Sequence, residues 1–93
     1  MHHAESAIAR GDWHRAWAPA QIALFAAVRV GARIVEVAPF RESGYRLLMR
    51  ALAAQGNQAE ALRIYDGLRA TLRDQLGVSP SPASQELFAQ LNR

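Results

Sequence analysis

Apolar positions recur at intervals of three and four along most of this chain, with glycine or proline between the runs. That period places side chains on one face of a helix. The clearest run is Arg41 to Gln55, where Tyr45, Leu48, Met49 and Leu52 form one stripe. Glu42 precedes Arg46 by four residues, the favourable sense for an ion pair on a helix. Gly56 closes this run, and Asn57 is placed to cap the next helix, which reaches Leu76 with Ala61, Tyr65, Leu68, Leu72 and Leu76 on one side. Gly77 is the expected stop, with Val78 packing back and Pro80 preventing continuation. Ser81 as cap and Pro82 in the first turn then open a last helix carrying Leu87, Phe88 and Leu91.

The first half of the chain is less regular. His2 to Arg10 reads as a short helix ended by Gly11, and Asp12 as the N-cap of a second helix bearing Trp13, Ala16, Trp17, Ala20 and Leu24, kinked at Pro19. Ala26 to Val37 is expected as a separate helix with Ala27, Val30, Ile34 and Val37 inward. Gly31 and the β-branched residues make a strand the alternative there, and Ala38-Pro39 ends the element. The expected fold is therefore all-α, with short turns forcing consecutive helices into antiparallel hairpins. Two turns echo each other: Gly11 is followed five residues later by Ala16, and Gly56 by Ala61. A glycine corner followed by a small residue is how tetratricopeptide repeats bring their paired helices close.

Composition narrows the function. Ninety-three residues fit one domain, 1–93, and a hydrophobic fraction of 51% with 20% charged residues is that of a globular chain. The absence of cysteine excludes disulfides, thiol catalysis and Cys-ligated zinc. The eleven basic residues are all arginine, scattered from Arg10 to Arg93 among eight acids, for a net charge of +3. A surface that reads DNA concentrates its charge, and this one does not. No apolar run approaches the roughly 20 residues of a membrane span, and no apolar leader follows Met1, so a cytoplasmic location is expected.

No phosphate-cradling loop, nucleophile elbow or Ser/His/Asp arrangement is present. Glu5 and Asp12, or Asp66 and Asp74, sit where carboxylates cap helices or face solvent. His2, His3 and His14 have no third ligand at useful spacing. No catalytic site, metal or cofactor is expected. The candidate partner-binding residues are Trp13, an aromatic beside the first turn, and two arginine pairs one helical turn apart, Arg46 with Arg50 and Arg69 with Arg73. Trp17 is the more natural core residue of the two tryptophans. Gly44 and Gly67 inside helices point to close helix contacts.

From Val37 to Leu91 the sequence resembles the bacterial transcriptional activator domain of actinomycete antibiotic regulatory proteins. The matching residues are Pro39, the run Arg46 to Leu52, Gly56, Glu60-Ala61-Leu62, Tyr65, Leu68 and, most specifically, Leu76-Gly77-Val78-Ser79-Pro80-Ser81-Pro82. The Gly11-Asp12-Trp13 turn resembles the family's first repeat more loosely. The resemblance implies a tetratricopeptide-like right-handed superhelix without catalytic residues. It also implies a partner: a second copy in a homodimer, or the transcription machinery, with DNA met only through a DNA-binding domain outside this chain. Contact of the arginine-bearing faces with a nucleic-acid backbone is the alternative, and a small molecule in the helical groove a more remote one. Family members carry more helical sequence before the segment Ala26 to Pro39, so a deletion or chain break is expected between about 24 and 30.

Overall fold

The computed structural model describes residues 13–93, with side-chain detail for residues 22–93. Four helices follow one another among these residues: α1 (Trp13–Val37), α2 (Glu42–Ala54), α3 (Gln58–Leu76) and α4 (Pro82–Leu91). No strand occurs among them, so the fold is all-α. The expected helix at His2 to Arg10, the Gly11–Asp12 turn and the side chains of Trp13, His14 and Trp17 lie outside the described residues.

α1 corrects the sequence reading in two ways. It is one helix of 25 residues rather than two, and it runs on through Pro19 and through 24–30. The segment Ala23-Leu24-Phe25-Ala26-Ala27 is built largely from strong helix formers, which carry the helix across. Its buried face is also rotated from the expected one. Leu24, Ala27, Val28, Gly31, Ile34 and Val35 turn inward, whereas Val30 and Val37 are 52% and 63% exposed. The true seam follows Gly31, where the smallest residue gives the closest approach.

That approach is reciprocal. A Cβ on Gly31 would lie 3.0 Å from both the Cβ and the backbone nitrogen of Leu48, and one on Gly44 would lie 2.9 Å from the Cβ of Ile34. Each helix presents a glycine to a branched side chain of the other. Packing is so tight that neither position has room for a methyl group. Tyr45 then locks the connection, because its buried hydroxyl donates to the Pro39 carbonyl at 2.8 Å.

The core lies between α2 and α3. Tyr45, Leu48, Met49 and Leu52 of α2 meet Ala61, Tyr65, Leu68 and Leu72 of α3, and Leu87 of α4 closes the cluster. The corner between them is glycine-built as expected. Gly56 has φ +83, its N–H donates to Ala53 O at 2.9 Å, and the Asn57 N–H returns to Leu52 O at 2.8 Å. Asn57 occupies the N-cap position of α3 without a side-chain capping bond, so the backbone rather than the expected cap makes this corner. Ala61, fully buried, lets the two helices draw together.

α3 ends at Gly77, whose φ of +68 is left-handed. The Val78 N–H turns back to Leu72 O, but its side chain remains half-exposed instead of packing on the helix. α4 lies against both α2 and α3. Its Phe88 ring stacks on Tyr65 with centroids 4.3 Å apart, and Gln58 reaches the Leu91 carbonyl.

Candidate functional site

Two features of this fold bear chemistry: a half-buried polar cluster between α2 and α4, and the outer surface of α1.

The cluster is centred on Glu42. Being in the first turn of α2, its carboxylate sits at one helix N-terminus, and the start of α4 brings a second against it. Oε1 accepts from Ser84 Oγ at 2.7 Å and from the Ser81 N–H at 3.0 Å. Ser84 is completely buried, and its own N–H is capped by Ser81 Oγ at 3.4 Å. Arg46 donates to Ser84 Oγ at 2.9 Å and stands 3.9 Å from the Glu42 carboxylate. Burial alone would raise the Glu42 pKa. The bonds from Ser84 and Ser81, with the charge of Arg46, outweigh it and hold the carboxyl below its ordinary value. Among the described residues, no buried side-chain polar atom lacks a partner.

This cluster explains the run Leu76 to Pro82 physically. Gly77 ends α3, Ser81 and Pro82 start α4 as cap and first-turn proline, and Pro80 is buried with its carbonyl held by Gln85 at 2.8 Å. Glu42 fastens the whole connection to α2. The sequence indicated the Ser81 cap and the Glu42–Arg46 spacing but nothing that joined them. Their meeting is a tertiary event between residues about forty positions apart.

The structure separates the four candidate arginines. Arg46 belongs to the part-buried cluster with Glu42 and Ser84. Arg50, Arg69 and Arg73 are exposed, with Arg73 Nε 3.0 Å from its neighbour Asp74. Trp13 begins α1, and its side chain lies outside the described residues.

The outer surface of α1 was missed by the sequence reading. Ile22, Phe25, Val30 and Val37 stand 52–65% exposed on the side opposite the glycine seam. Arg29 and Arg33 run between them, and Arg33 pairs with Glu36 at 3.3 Å. An open depression of about 720 Å³ lies along this side, its described walls including Ala26, Arg29, Val30, Ala32 and Arg33. Phe40, Leu76 and Val78 add exposed apolar surface where α1 and α3 end and α2 begins.

No group of three or more His, Asp or Glu side chains gathers to hold a metal among the described residues. No described helix is long and apolar enough to cross a membrane.

The family model described as "Bacterial transcriptional activator domain" matches residues 22–92. The "Regulatory protein AfsR" of Streptomyces coelicolor is 53% identical over 49 residues, which are 53% of this chain and 5% of that protein. Its namesake in Streptomyces griseus is 46% identical over 55 residues, 59% of this chain and 6% of that one. The "Transcriptional regulatory protein MoaR1" of Mycobacterium tuberculosis is 34% identical over 61 residues, 66% of this chain and 20% of its own length. The chain thus spans between 5% and 20% of the length of these relatives. No solved structure matches it significantly.

Proposed function

Because the chain belongs to the bacterial transcriptional activator domain family, we propose that it is a non-catalytic protein-interaction and oligomerisation module of a cytoplasmic transcription regulator. Its hairpins continue a tetratricopeptide-like right-handed superhelix, and its partners are a second copy of itself or the transcription machinery. DNA is met through another domain of the parent regulator. The observation that supports this reading is the apolar surface exposed among the described residues, Ile22, Phe25, Val30 and Val37 along α1 with Phe40, Leu76 and Val78 at the bundle end.

The nucleic-acid alternative is less well supported. Arg46 is engaged inside the fold, and Arg73 is beside Asp74. Binding through the remaining arginines would fall steeply with added salt.

Light scattering on size-exclusion fractions of the chain tests the oligomerisation reading. A mass rising toward two copies with concentration is expected, and Val78→Asp with Leu76→Asp at the bundle end should restore the monomer. A strict monomer at high micromolar concentration that also captures no regulator or polymerase subunit would overturn it.

A further inference from the structure

We propose that two copies of the chain join by exchanging α4: the last helix of each leaves its own bundle and seats on α2 and α3 of the other. The inference rests on reading the chain as an oligomerisation module and names the element that links the copies.

α4 is attached as a separable piece. Its seat is a strip across α2 and α3, where Leu87 enters the core, Phe88 stacks on Tyr65, and Ser81 and Ser84 donate to Glu42. The bond from Gln85 to the Pro80 carbonyl makes residues 80–91 one unit that moves together. The residues that hold this unit are present in a second copy as well, so an exchanged α4 recovers each of these contacts.

The joint that has to open is short and bare. Gly77, Val78 and Ser79 are all exposed between the end of α3 and Pro80. Gly77 turns the chain with a left-handed φ of +68, and glycine passes between left- and right-handed backbone at little cost. Fully extended, three residues reach only about 10 Å. Two bundles joined through crossed linkers of that length must meet end to end, at the last turns of their α3 helices.

That end carries the apolar surface the arrangement needs. Leu76 is 53% exposed and Val78 50%, one on each side of the Gly77 joint. An apolar residue just past a glycine stop commonly folds back onto the preceding turn, and Val78 does not. About a two-fold axis between the crossed linkers, Leu76 and Val78 of one copy lie against the same pair of the other. The exchange itself creates this contact.

The chain has no cysteine, so paired spin labels can be placed freely. Arg50→Cys and Gln90→Cys, at exposed positions of the adjoining helices α2 and α4, are labelled in one chain. That chain is equilibrated with a large excess of unlabelled chain, and monomer and dimer fractions are separated. Pulsed electron resonance should show a short label separation in the monomer. In the dimer fraction a longer one should replace it, because the labelled α4 then sits on an unlabelled hairpin. A short separation kept in the dimer would overturn exchange while leaving oligomerisation intact. A strict monomer would overturn it too, and would remove the interaction reading only if the chain also captured no regulator or polymerase subunit.

Glu42→Gln gives a second readout. The bonds it weakens are present equally in the closed monomer and the exchanged dimer, so the monomer–dimer constant should not move. Opening becomes easier, and interconversion after dilution should run about tenfold faster. An altered constant with an unaltered rate would contradict exchange.

Discussion

Gly44 lies directly beneath Ile34, so close that a single added methyl group would stand 2.9 Å from the Ile34 Cβ. Gly31 repeats the arrangement in the opposite sense against the backbone of Leu48. The α1–α2 seam is therefore set by two hydrogens where any other residue would place a carbon. Gly44→Ala should destabilise the chain by about 1–3 kcal/mol despite alanine's better helix propensity. Gly31→Ala should do the same, since the atom in the way is main chain and cannot rotate aside. Chemical denaturation followed at 222 nm would measure both, and a gain in stability from either would contradict the seam.

Gly67 gives the opposite result. Its position on α3 is exposed, its φ is not left-handed, and a Cβ there would meet nothing within 4 Å. Gly67→Ala should stabilise the chain by about 0.5–1 kcal/mol through the unfolded state and helix propensity together. The same denaturation curves check it.

These two glycines show what was legible beforehand. Both looked like close-contact positions, and only Gly44 is one; a glycine inside a periodic run does not say which side of its helix meets a neighbour. The stripe Tyr45, Leu48, Met49, Leu52 was readable because α2 is enclosed by α1 and α3, so nearly every apolar residue it has is buried. α1 was misread because it has apolar residues on both sides, and period alone cannot distinguish the face that packs on α2 from the one that does not. Helix type and the Gly56 corner followed from local chemistry. The Glu42–Ser84 meeting did not, because no local rule links residues 42 positions apart.

Glu42 should make stability depend on acid. Its folded pKa is depressed, so its contribution is fully present above the unfolded value, ordinarily 4.5, and is lost as pH falls through the lower folded value. Glu42→Gln should cost about 1–2 kcal/mol at pH 7 and progressively less as the solution is acidified below that ordinary value. Parallel denaturation series for the two proteins should converge in acid. Curves separated by a constant amount would mean that the carboxylate's charge is irrelevant to the cluster.

Arg46 and Arg50 should behave differently although they are one turn apart. Arg46→Ala removes the donor to buried Ser84 and should destabilise the chain by about 1–3 kcal/mol. Arg50→Ala, on an exposed side, should leave stability within about 0.5 kcal/mol of the parent. Thermal melts of the two variants give the comparison directly; equal effects would place both side chains outside the cluster.

The bonds that Ser81 and Ser84 donate to Glu42 bridge about forty residues of chain, while consecutive helices otherwise meet chiefly across tight corners. Closing so long a loop carries an entropic penalty that neighbouring helices do not face. The α2–α3 hairpin can thus assemble early from nearby encounters, with α4 arriving afterwards and detaching first when the native state fluctuates. Amide protons of the last helix should exchange ahead of those in the central pair, making the carboxyl end of this module its earliest point of opening.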